Sequence, residues 1–122
     1  MSLFARLFRR PLPSVTSAPW IEAPAVARGL GAPDAPLVLD VRGPDEFVGP
    51  LGHIAGARNL PLPDLATQLD QLAGDRRPIV VVCKTDRRSA IAASQLLAAG
   101  AAEVSVLRGG METWRRLGLP SG

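Results

Sequence analysis

Cys83 is the only cysteine in the 122-residue chain, and its neighbours are of the types that activate a thiol. It closes an apolar run over residues 78–83 and is followed by Lys84, Thr85, Asp86, Arg87, Arg88 and Ser89. Lys84, Arg87 and Arg88 against Asp86 leave this loop with two positive charges over its own length. A helix starting straight after the loop adds unpaired backbone N–H groups, so the turn is an anion cradle. Both effects favour the thiolate, which is the nucleophilic form of cysteine. Taken alone, a cysteine ending an apolar strand also reads as a small buried hydrophobe. The cationic loop and the helix start tip the reading towards a reactive role.

Three other residues invite a chemical reading. His53 is the single histidine and has the chemistry of a general base. A thiolate stabilised by its own loop needs no base, so a hydrogen bond inside the fold is the preferred role for His53. Asp40 and Arg42 end a second apolar run, either as an ion pair fixing a strand end or as a layer beneath the cysteine loop. Arg42 reads as structural. Asp40 stays open between the two, because a carboxylate at a strand end can accept loop N–H groups. One cysteine and one histidine build neither a disulfide nor a four-ligand zinc site, and no metal or organic cofactor is expected.

These residues need elements to position them. Residues 37–41 and 78–83 are short, apolar and rich in β-branched side chains, which predicts buried strands, the second of them central. Shorter strands are expected at 58–60 and 103–107. Helices are expected over 25–30, over 65–72 with Asp64 as N-cap and Gly74 as stop, over 89–99 ending at Gly100, and over 111–117. A helical turn fits 45–48 within a Gly/Pro-rich loop. Trp114 reads as core, and Arg108 as either a surface residue or part of a pocket rim. Alternating strands and helices predict an α/β fold with a mainly parallel central sheet flanked by helices.

The length suits one domain, expected over residues 20–122, with 47% hydrophobic and 20% charged residues. Residues 1–19 carry Arg6, Arg9 and Arg10 beside Leu3, Phe4, Leu7 and Phe8, then three prolines. They read as a flexible basic tail, with contact to an anionic membrane surface or a partner as the alternative. The net charge is +3, but thirteen of the fourteen basic residues are scattered arginines and only five residues are aromatic. Nucleic-acid binding is therefore not expected. Without an 18-residue apolar run or a signal-type apolar region, the expected compartment is the cytoplasm.

Four motifs in order carry a family resemblance. Cys83 to Ser89 resembles the active-site loop of the rhodanese family, with Cys83 at the persulfide-forming position and Arg88 at the arginine that closes the loop. Asp40 to Arg42 with Glu46-Phe47, then Gly52 to Asn59, then Leu107 to Gly110 with Trp114, are similar to further segments of that family. The resemblance covers roughly residues 20 to 118. It departs at Val48 to Leu51, a longer spacing than usual, and at Ala55, where proline is common. It implies a thiosulfate sulfurtransferase that takes sulfur from a small anionic donor and passes it to a thiol, a protein acceptor or cyanide through a Cys83 persulfide. Lys84 and Arg88 would attract the donor, and the loop N–H groups would hold the persulfide charge. The alternative is a non-catalytic or partner-dependent module of the same fold. A cysteine phosphatase is disfavoured, since its loop needs one residue more between Cys and Arg than the four found here.

Overall fold

The computed structural model describes residues 17–122. The elements run β1 (Trp20–Ile21), α1 (Ala23–Gly29), β2 (Leu37–Asp40), α2 (Pro44–Phe47), β3 (Arg58–Asn59), a 3-10 segment (Leu62–Gln68) leading into α3 (Leu69–Gly74), β4 (Ile79–Val82), α4 (Arg87–Ala98), β5 (Val104–Leu107) and α5 (Gly110–Arg116). The five strands form one sheet in the order β1-β5-β4-β2-β3, and every pairing within it is parallel. No helix of the described residues is long and apolar enough to cross a membrane.

The residue pattern of the strands explains why the sheet is covered on both faces. All four residues of β4 are buried, and alternate side chains enter different clusters. Ile79, Val81 and Cys83 pack with Leu37, Leu39, Leu65 and the α4 residues Ala92, Ala93 and Leu96. Val80 and Val82 pack with Val26, Ile54, Met111 and Trp114 on the other face. Such two-sided burial needs continuous apolar strands, as the sequence of β4 provides. On α4 the buried residues are Ser89, Ala92, Ala93 and Leu96, spaced as one helical face. Ser89 therefore lies on the stripe that faces the sheet, on the same side as Cys83.

Connectivity places the functional end of the sheet. From β2 the chain moves outward to the edge strand β3, whereas from β4 it moves the opposite way to β5. The carboxyl ends of the neighbouring strands β2 and β4 thus flank the point where the winding reverses, where parallel α/β sheets open a crevice. Asp40 and Val82 are register partners at this end. The segments 40–42 and 83–89 leave the sheet side by side.

Several boundaries differ from the sequence expectation, each for a local reason. The helix expected over 65–72 is a 3-10 segment from Leu62 followed by α3, and Asp64 lies inside it instead of capping it. Pro61 and Pro63 fix φ near the helical value, so the turn starts ahead of Asp64. The helix after Cys83 begins at Arg87, with Asp86 at its N-cap, two residues before the expected start. Strand β1 was not foreseen, because two residues carry no periodicity. It is held on β5, where Val106 N–H donates to the Pro19 carbonyl at 2.9 Å. The remainder of the expected tail, residues 1–16, lies outside the described residues.

Candidate active site

Cys83 is 1% exposed and follows directly on β4. Its thiol donates to Ser89 Oγ at 3.2 Å, and the Ser89 N–H points at Sγ at 3.3 Å. Ser89 Oγ in turn donates to the Asp86 carbonyl at 3.1 Å, so in the thiol form its hydroxyl is both donor and acceptor. On loss of the thiol proton, the same hydroxyl can rotate to donate to sulfur. The first backbone bond of α4 runs from Ala90 N–H to Asp86 C=O at 3.1 Å. The N–H groups ahead of it, from Lys84 to Arg88, have no backbone acceptor among the described residues.

The carbonyls of the loop show which way those N–H groups face. Met111 N–H donates to the Cys83 carbonyl at 2.9 Å and Glu112 N–H to the Lys84 carbonyl at 3.1 Å. A Cβ on Gly110 would stand 2.4 to 2.6 Å from the carbonyl oxygens of Cys83, Lys84 and Thr85. Three successive carbonyls thus converge on the start of α5. In a planar trans peptide the N–H of the next residue points the opposite way. The N–H groups of Lys84, Thr85 and Asp86 are thereby turned away from α5, and the loop is fixed from behind. Asp86 adds a further tie, accepting from Gly109 N–H at 2.7 Å. Gly109 and Gly110 have φ of 79° and 56°, a region in which a side chain is strained.

A second set of bonds links this loop to the end of β2. The carboxylate of Asp40 accepts from Arg42 Nε at 2.9 Å, from Nη2 at 2.7 Å and from the Arg42 N–H at 3.1 Å. Asp40 is 0% and Arg42 1% exposed. Asp40 thus stands in a buried ion pair at the strand end, and among the described residues it accepts no N–H from the cysteine loop. Arg42 also donates through Nη1 to the Glu46 carbonyl at 3.1 Å and through Nη2 to the Gly52 carbonyl at 2.6 Å. It thereby clamps both ends of the longer Val48 to Leu51 segment. Glu46 closes the chain of contacts with a two-point bond to Arg88, 2.6 and 2.9 Å. This ion pair holds the Glu46 carboxyl down at about 2, against an ordinary 4.5. It also raises the Arg88 guanidinium above its usual value.

The remaining expected residues separate. Lys84 lines a cleft of about 410 Å³ with Arg42, Glu46, Pro50, Leu51 and Glu112. Thr85 and Arg87 are exposed and do not line it. His53 stands apart from the thiol: Nδ1 bonds the Phe47 carbonyl at 2.9 Å and the ring stacks on Phe47 at 3.8 Å. Arg108 is a surface residue, paired with Glu22 at 2.8 Å and lying over the Trp20 ring. Trp114 is fully buried and donates to the Pro120 carbonyl at 2.9 Å. Ala55 uses the N–H that a proline would lack, donating to the same carbonyl at 3.2 Å.

Two features escaped sequence reasoning. Glu46 stands out in the sequence only beside Phe47 in a family-like segment, yet it neutralises one of the two excess charges counted on the loop. The Gly109-Gly110 pair is visible in the sequence as the end of the family-like segment from Leu107, but not as the support behind residues 83–85. A double glycine opening a helix is the signal that would have pointed there, since glycine permits close backbone approach.

Residues 22–117 match the rhodanese-like domain family. A thiosulfate sulfurtransferase GlpE of Ectopseudomonas mendocina is 40% identical over 82 residues, covering 65% of this chain and 70% of that protein. An uncharacterized protein of Synechocystis sp. is 40% identical over 100 residues, 81% of this chain. The chain spans only 54% of that relative's length. Among solved structures, the rhodanese-like domain of the Anabaena sp. Alr3790 protein is 32% identical with a TM-score of 0.74, covering 85% of this chain and 78% of that one.

Two expectations follow from the geometry. Gly110→Ala must displace three carbonyls and should cost about 1–3 kcal/mol in urea unfolding, with amide NMR shifts changing at residues 84–86. For Glu46, the depressed folded value means that its stabilisation is complete above pH 4.5 and is lost as pH falls through about 2. The Tm difference between wild type and Glu46→Gln should hold steady from neutral pH down to that upper value. It should then shrink and disappear near the lower one.

Proposed function

Since the chain belongs to the rhodanese-like domain family, we propose that it is a sulfurtransferase that works through a persulfide on Cys83. The observation that carries this reading is the backing of the cysteine loop. Carbonyls 83–85 are drawn onto α5, which leaves the opposed N–H groups and the Ser89 N–H to stabilise negative charge on sulfur. The named activity of the Ectopseudomonas mendocina relative supports the same chemistry.

The transfer has two balanced half-reactions. The Cys83 thiolate attacks the outer sulfur of thiosulfate or a related sulfane donor. The donor's S–S bond breaks, and sulfite leaves with the bonding pair. A thiol, a protein acceptor or cyanide then attacks the outer sulfur of the Cys83 persulfide, and the pair of the breaking S–S bond returns to Cys83 as thiolate. The electrons balance without metal or organic cofactor. Lys84 supplies cationic attraction for the donor at the cleft. Arg88 is held by Glu46, so its part is to shape the loop. His53, bonded to a backbone carbonyl, takes no proton in this scheme. We assign the reaction to the cytoplasm.

Thiocyanate formation from thiosulfate and cyanide should disappear in Cys83→Ser while the circular dichroism spectrum is retained. The wild type, treated with thiosulfate, should gain roughly 32 Da, the mass of one sulfur atom, and lose it to reductant. Activity retained in the serine variant would refute the assignment, and an unreactive wild type would favour a partner-dependent carrier. For Arg88→Ala, transfer from thiosulfate and from an uncharged trisulfide should fall by the same factor. A selective loss with thiosulfate would instead make Arg88 a direct contact for the donor.

A further inference from the structure

The cleft beside the cysteine loop is lined by Arg42, Glu46, Pro50, Leu51, Lys84 and Glu112. Two of its four charges are already committed, Arg42 to Asp40 and Glu46 to Arg88. Lys84 and Glu112 are exposed, and neither side chain has a hydrogen-bond or ion-pair partner among the described residues. The backbone bond from Glu112 N–H to the Lys84 carbonyl, 3.1 Å, sets the two residues next to each other. Pro50 and Leu51 add an apolar wall to the same cleft.

This mouth is bipolar, unlike the cationic loop that the local sequence suggests. A doubly negative donor drawn to Lys84 leaves the carboxylate of Glu112 without a partner, so it uses only one half of this mouth. A molecule with its own carboxylate and ammonium satisfies both residues, and a short methylene between them and its sulfur can lie on the apolar wall. We propose that the sulfur acceptor is a zwitterionic thiol of the α-amino-acid type, its carboxylate at Lys84 and its ammonium at Glu112. This inference rests on the sulfur-transfer reading of Cys83. In the step it concerns, the acceptor loses its thiol proton to solvent and its sulfur attacks the outer sulfur of the persulfide. The S–S bond breaks towards Cys83, and the acceptor departs as a persulfide. No external oxidant or reductant takes part.

The test starts from wild type, Glu112→Gln and Lys84→Gln loaded with thiosulfate and freed of excess donor. Discharge of the persulfide is followed with cysteine, with 3-mercaptopropionate, which lacks the ammonium, and with cysteamine, which lacks the carboxylate. Working in about 0.5 M KCl shortens the screening length to about 4 Å, so that only close contacts register. Ratios between thiols, compared between variant and wild type, cancel the intrinsic reactivity of each thiol. Glu112→Gln should lower the rate with cysteine relative to 3-mercaptopropionate by about threefold, a size set by an exposed ion pair, and leave cysteine relative to cysteamine unchanged. Lys84→Gln should do the reverse. If neither variant alters either ratio while the persulfide still forms and discharges, the subsite is overturned and the sulfur-transfer reading stands. A wild type that never acquires the extra sulfur overturns both.

Discussion

The buried Asp40–Arg42 pair is the contact on which the rest of the site depends. Two charges removed from water are costly unless every donor and acceptor is satisfied, and here the guanidinium is surrounded by a carboxylate and two carbonyls. No buried side-chain nitrogen or oxygen among the described residues lacks a partner. Such a pair contributes little net stability against an apolar replacement, but removing one partner leaves a buried charge and is severely destabilising. Its value is therefore positional. It fixes where the chain leaves β2 and holds Glu46 and Gly52 at set distances from that point.

From this anchor, order passes to the cysteine loop through Glu46 and Arg88. The Glu46–Arg88 pair is partly solvent-exposed, so its worth lies more in geometry than in energy. A two-point guanidinium–carboxylate contact constrains orientation as well as distance. It ties the first turn of α4 to α2 across 42 residues of sequence. On the opposite side, α5 takes the loop carbonyls and Gly109 takes the Asp86 carboxylate. The loop is thus held from two directions. Its polar groups are oriented by neighbouring elements of the fold itself.

The longer Val48 to Leu51 segment shows how such a frame tolerates variation. Its ends are pinned by Arg42, and internal turns close it, with Gly49 N–H donating to the Glu46 carbonyl at 3.1 Å and Gly52 N–H to the Gly49 carbonyl at 2.9 Å. The extra length projects outward, leaving Val48 76% exposed while Pro50 and Leu51 form one wall of the cleft. Loops on a rigid scaffold can change the shape of a binding surface without disturbing the strands beneath it.

Much of the fold was legible in the sequence because its signals are local. Four β-branched residues ending in Cys83 specify a strand buried on both faces, and the alanine-rich stretch after the loop specifies a helix with a narrow apolar stripe. The place of Cys83 at a strand end follows from the same short-range information. Charge balance did not. Counting charges along residues 84–88 gives a cationic loop, because Glu46 and Glu112 are remote in sequence and only the parallel sheet order brings α2 and α5 beside it. The direction of the loop N–H groups was equally hidden, since it depends on carbonyls meeting a helix that starts 27 residues after Cys83. The sequence by itself determined the elements and the place of the single cysteine at the end of the central strand, through periodicity and residue type. Only the tertiary structure decided which charges remain free and which way the backbone dipoles point, because both depend on partners that lie close in space and far apart along the chain.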